Sequence, residues 1–395
     1  MKLMQSVVAA LICAVGLATQ VSAGPVEASG SCSAPAPAGE QTAIVSTPDY
    51  LAGNDEGEAP NPQAEAAEKA WLNYQASVLD ALRHSPAPRD WALATVAGLT
   101  LDKQDGATGN ERDALLERAM AAAPDDALVQ WIAVMRLQPT AVESAAPLRR
   151  LQLLEPDNAA VWLETLIPAQ KRNDAAVVDR ALNRMASSSR FDGHFTDLSR
   201  ALVDAYQRTP PAATVAAQDD PFRSASVAPY AYAAAITSAT ALPAFQDLLN
   251  ACRVDPLTGA NTQRSIDCAA AGRLMAARSD TLIASRIGLT MLRLSRTFSD
   301  DDVSQARTQD WVREQFTTKL LASAGSPDES SAEDMITYQS DWIETGSEVE
   351  AMRRAVARAG IPVTPPDDWT DKLSPFSEDR FTQDQAALKR VAEKH

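Results

Sequence analysis

The chain has 395 residues, 45% of them hydrophobic, and a formal net charge of −16. This length supports a sizeable buried core, in one lobe or two. The acidic residues are spread along the chain without a polyacidic block, which argues against DNA or RNA as a partner, because phosphate binding needs a basic stripe. It also argues against docking on an anionic membrane; the simplest role for the acidity is solubility.

Residues 1–23 read as a secretory signal peptide. Lys2 supplies the positive start, VVAALICAVGLA the apolar centre, and Val21-Ser22-Ala23 the small-x-small site, so cleavage is expected after Ala23. Cys13 follows the bulky Ile12, which does not suit a lipoprotein site. Cleavage removes Lys2 and no acidic residue, moving the net charge from −16 to −17. No later run reaches the roughly 18 apolar residues of a membrane span. The mature chain is therefore expected to be periplasmic or secreted, with no integral membrane association.

Residues 24–62 are rich in Gly, Ala, Pro, Ser and acids and contain no Lys or Arg. Such a segment buries too little apolar surface to offset its ordering entropy and reads as a disordered acidic tether.

From Glu65 onward the pattern is helical. Alanine is abundant, strand-like alternation is almost absent, and apolar residues recur at three and four positions. Leu116, Ala119 and Ala123 form one stripe, Leu128, Ile132 and Met135 the next, and Leu148, Leu151 and Leu154 a third. Leu163, Leu166 and Ile167 follow. Later stripes run through Ile283, Ile287, Met291, Leu294 and Phe298, through Val312, Phe316 and Leu320, and through Trp342, Val349, Met352 and Val356. The fold class is all-α.

Two breaks, APDDALVQW at 123–131 and EPDNAAVW at 155–162, repeat with an offset of 32. Leu116 falls on Leu148, Pro124 on Pro156, Asp125 on Asp157, Ala127 on Ala159 and Val129 on Val161; Trp131 falls on Leu163, beside Trp162. Proline disfavours helix in the residue before it and is tolerated at a helix start. Asp and Asn accept from the free N–H groups of the next first turn. Each break is a tight stop and restart.

With PDNAAVWLETL followed by KRNDAAVVDRAL at 171–182, the region 109–190 resembles a tetratricopeptide repeat. That family's unit is a helix pair of about 34 residues. Pro156, Trp162, Asn173-Asp174 and Ala181-Leu182 occupy comparable places, while Leu166 stands near the expected small Gly and Pro168 is expected to interrupt the first helix. The resemblance implies antiparallel helix hairpins stacked as a short superhelix over 63–208. The Pro-, Ser- and Asp-rich residues 209–229 read as a linker to a C-terminal helical lobe at 230–360. Residues 361–395 read as an extended tail with a short helix near 381–394.

The mature chain keeps Cys32, Cys252 and Cys268. Cys252 and Cys268 flank the loop DPLTGANTQ, and export favours a disulfide between them. Cys32 lies in the tether and is free, paired with another chain, or paired with one of the other two.

Catalytic patterns are not visible. The three histidines lie apart: His84 at a helix end, His194 in FDGHF with a packing or capping role, and His395 at the terminus. HExxH, GxSxG, Ser-x-x-Lys, a phosphate loop and GxGxxG are missing. Asp300-Asp301-Asp302 reads as a helix N-cap rather than a calcium ligand set. No metal and no cofactor are expected. Trp71, Tyr74, Trp91, Trp131, Trp162, Trp311 and Trp342 fall within helical patterns. Trp131 and Trp162, with Tyr230 and Tyr232 near the linker, are the candidate groove or packing aromatics. The expectation is a non-catalytic exported protein that binds an envelope protein or peptide through a groove of stacked helices. The alternative is an envelope enzyme that uses paired carboxylates on glycan or cell-wall material.

Overall fold

The computed structural model describes residues 62–98, 109–136, 145–212, 224–240, 243, 245–253, 262–324 and 329–370. The signal peptide, almost all of the tether with Cys32, the terminal helix and His395 lie outside the described residues.

The described residues are helical, with no strand among them. In chain order the helices are α1 Pro62–His84, α2 Pro88–Ala97, α3 Gly109–Ala122, α4 Ala127–Arg136, α5 Ala145–Leu154, α6 Ala160–Lys171, α7 Ala175–Ala186 and α8 Phe195–Arg208. Then come α9 Ala228–Ala239, α10 Phe245–Cys252, α11 Gln263–Arg278, α12 Leu282–Leu294, α13 Asp300–Ala324, α14 Glu329–Thr345 and α15 Glu348–Arg358.

The two repeated breaks are the α3–α4 and α5–α6 turns, and their chemistry differs. At the first, Asp126 Oδ1 accepts from the amides of Leu128 and Val129 at 3.1 and 3.3 Å, satisfying the free donors of a helix start. At the second, Asn158 Oδ1 accepts from Ala160 N at 3.1 Å and also from Asp192 N at 2.9 Å. The second turn is therefore tied to a distant segment. At the α6–α7 turn Asn173 takes the left-handed conformation (φ 55°) and Asp174 caps Val177 N at 3.1 Å. Pro168 does not break α6, which continues to Lys171. It removes the bond that an N–H at 168 would make to the Glu164 carbonyl, and the helix ends within a turn, at Lys171.

Each helix from α2 to α7 packs on the one before it, and α11 then packs on α7 and α12 on α11. Elsewhere α8 packs with α9, α9 with α14, and α14 and α13 with α15. A core of Leu163, Leu166, Leu182, Met185, Phe191, Leu248 and Met275 fills the α6–α7–α10–α11–α12 stack. Cys252 and Cys268 are joined there as a disulfide with a Cα separation of 5.6 Å. Another core holds Trp71, Tyr74, Tyr206 and Tyr232, with Tyr206 and Tyr232 stacked at 5.1 Å and Trp71 4.9 Å from Tyr232. These rings come from α1, α8 and α9, so this core joins residues on both sides of 213–223. No helix among the described residues is long and apolar enough to cross a membrane.

Candidate functional site

The segment between α7 and α8 carries the densest polar chemistry. Its backbone is pinned twice: Ala159 N donates to Arg190 O at 2.8 Å, and Phe191 N donates to Arg278 O at 3.2 Å. Asn158, fully buried, donates from Nδ2 to Asp192 O at 2.9 Å and to Glu155 Oε2 at 2.8 Å. The α5–α6 turn thus fixes the chain just before α8.

There the backbone turns sharply. His194 sits at the N-terminus of α8 in the left-handed conformation (φ 59°), and its N–H donates to Asp192 Oδ1 at 2.8 Å. Its imidazole is buried: Nε2 lies 3.0 Å from Glu155 Oε2 and Nδ1 lies 3.5 Å from Asp197 Oδ2. Trp131 packs beside it, 5.7 Å away, and meets Phe195 edge to face at 5.6 Å. Burial alone would lower the imidazole pKa. The hydrogen bonds to Asp197 and Glu155 outweigh that and raise it to about 10. Burial raises Glu155, but hydrogen bonds and charge from His194 outweigh it and leave the carboxyl below its ordinary range. Asp197 is held low, first by its hydrogen bond to His194. Arg190 faces Asp157 at 3.2 Å, Glu155 at 3.3 Å and Asp192 at 3.9 Å.

Behind this loop lies a second polar layer. Asp280, between α11 and α12, accepts from Phe195 N through Oδ2 at 3.1 Å. Burial pushes its carboxyl up to about 7, with the Asp192 charge adding to the rise. The Asp280 carbonyl accepts from Trp342 Nε1 at 2.8 Å and from Glu348 N at 3.1 Å. Glu348 in turn accepts from Leu282 N at 2.7 Å and from the Tyr338 hydroxyl at 3.3 Å, and burial raises it. Asp280 and Glu348 therefore cap α8 and α12 from elsewhere in the chain, where the first-turn amides lack intrahelical partners.

Two clefts border α8. One, of about 280 Å³, is lined by Arg89, Asp126, Leu128, Asp197, Arg200 and Arg208, among others. The other, of about 310 Å³, is lined by Val203, Gln207, Tyr230, Ile343 and Glu344. Both include Arg200 and Asp204, so the exposed side of α8 runs continuously between them. Ion pairs order the walls: Arg89 with Asp126 at 2.8 Å, Arg208 with Asp90 at 2.7 Å, and Arg200 with Asp197 at 3.0 Å.

Of the aromatics singled out by sequence, Tyr230 lines a cleft. Tyr232 and Trp131 are buried. Trp162 is half-buried, donating to Pro156 O at 3.2 Å with the Arg184 guanidinium 5.5 Å from its ring centroid. His84 lies at the end of α1, its Nδ1 2.9 Å from the Asp80 carbonyl oxygen, and Asp302 closes a capping pair with Ser299 at the start of α13. Sequence reasoning missed the ionic setting of His194. The pattern DGHFTD, with Asp two residues before and three after the His, was its visible signal. Glu155 and Asp280 gave none, lying 39 and 86 positions away.

Fold and site together describe an all-α protein of helices packed on their chain neighbours, with a polar junction at the head of α8 and a groove along it. Comparison with known proteins finds no matching family model, no matching curated protein and no matching solved structure.

Proposed function

We propose that this is an exported, non-catalytic helical-repeat protein, built on tetratricopeptide-like helix pairs, that binds a segment of an envelope protein or a peptide along α8. The observation that carries the reading is the run of two adjoining clefts sharing Arg200 and Asp204. Their walls combine fixed charges with apolar surface from Leu128, Val203 and Ile343, and stacked helices make such extended surfaces suited to chain-like ligands. Among the described residues, the carboxyl groups that burial raises, Glu164, Asp280 and Glu348, line neither cleft, which favours binding over acid–base catalysis on a glycan.

The test is site-directed photocrosslinking in cells. A photoreactive residue at Gln207 is expected to capture one dominant envelope polypeptide, while the same residue at Asp179, on α7, is not. Equal capture from both positions, or none from Gln207, would sink the groove. N-terminal sequencing of the exported chain is expected to begin at Gly24.

A further inference from the structure

We propose that Asp192, His194 and Asp197 form a binding site for a divalent metal ion, with zinc the best match to its donors. One imidazole nitrogen and one oxygen from each carboxylate lie within 4.8 Å of one another, close enough for one ion to gather all three with small side-chain rotations. An imidazole with two carboxylates suits zinc better than the all-oxygen sites of magnesium or calcium.

The surroundings match what a metal-binding histidine needs. Metal-ligating imidazoles nearly always give their other ring N–H to a carboxylate, which fixes the ring and its tautomer. His194 does this through Nε2 to Glu155 Oε2 at 3.0 Å. Glu155 is itself held by Asn158 Nδ2 at 2.8 Å, so Nδ1 is presented toward Asp197 Oδ2 at 3.5 Å. The outer oxygen of Asp197 is already held by Arg200 at 3.0 Å, which leaves Oδ2 for the ion. Asp192 Oδ1 accepts the His194 amide at 2.8 Å, and its Oδ2 is 3.9 Å from Arg190.

A further feature is a buried acceptor without a donor. Asp280 Oδ1 is inaccessible and has no hydrogen-bond partner. It lies 3.6 Å from where a Cβ on Gly193 would sit, directly behind the residue between two of the ligands. The Gly193 backbone N–H approaches this carboxyl without meeting the geometry of a full hydrogen bond. Buried acceptors of this kind call for an ion or ordered water nearby. Asp197 also lines the cleft beside α8. This inference does not depend on what the groove binds.

The test uses the mature, tag-free chain, dialysed against EDTA and then titrated with zinc chloride. The expected result is about one zinc retained per chain after gel filtration, with a rise in Tm. Asp192→Asn and Asp197→Asn, both at partly exposed positions, are each expected to weaken binding by at least about tenfold. Glu155→Gln should weaken it about tenfold while keeping one-to-one stoichiometry, as for an outer-shell partner. Circular dichroism of the metal-free variants checks that they are folded. Retention of less than about a tenth of an equivalent by the wild-type chain overturns the site. Unchanged binding by the Asp192→Asn, Asp197→Asn double variant also overturns it, since the zinc is then adventitious.

Discussion

Glu164 illustrates what a single residue can be made to do by its surroundings. It lies on α6, and burial raises its carboxyl from 4.5 to about 7. Between those values the folded chain holds a proton that the unfolded chain has released. Stability therefore falls as pH rises through this window and levels off above it. Glu164→Gln, which keeps the shape and removes the charge, is expected to stabilise the protein at pH 8 by about 2 kcal/mol, discounted for the partly exposed side chain. At pH 4 it should change little. Urea unfolding at both pH values measures this, and equal effects at the two would rule out the account. Nothing in the sequence distinguishes Glu164 from the other acids, because a raised carboxyl depends on which helices close over it.

At the scale of elements, helix caps and turns were largely legible. The Pro-Asp-Asp stop, the Asn173-Asp174 turn and the Ser299–Asp302 start act through neighbours within a few residues; the Pro-Asp-Asn stop was legible as a turn, but its tie to Asp192 was not. The contact between α11 and α12 was not legible, since it brings together glycines 16 positions apart. A Cβ on Gly288 would lie 2.5 Å from the Gly272 carbonyl oxygen and 2.6 Å from Ala276 N, both backbone atoms that cannot swing aside. Gly272 meets Gly288 O at 2.9 Å in the same way. Alanine gains about 1 kcal/mol of helix propensity over glycine, but forcing these backbones apart costs more. Gly288→Ala is expected to destabilise the protein by about 3 kcal/mol in net terms. A denaturation midpoint at or above that of the wild type would show that the helices separate freely.

For the whole molecule, the decisive contacts are those that join distant segments. Tyr232 on α9 stacks on Tyr206 of α8 and meets Trp71 of α1, while Gln75 donates to its hydroxyl. Residues before and after 213–223 share this core, so they are expected to unfold in one calorimetric transition. Tyr232→Ala should lower that transition as a unit, with a loss of about 4 kcal/mol. Two separated transitions in the wild type would contradict the shared core. The C-terminal strap is fixed by similarly distant contacts: Arg307 on α13 donates to the carbonyls of Pro366, Asp367 and Trp369, and Trp311 donates to Pro362 O at 2.7 Å. By itself the sequence determined the helical class and the positions of the repeated turns, and favoured the pairing of Cys252 with Cys268 that the structure shows, because periodicity, capping and short loop closure are local. Only the tertiary structure decided the polar junction at His194 and the groove along α8. Their parts, Glu155, Asn158, His194, Asp280 and Glu348, are separated by long stretches of chain, and no local pattern specifies which buried charges will meet.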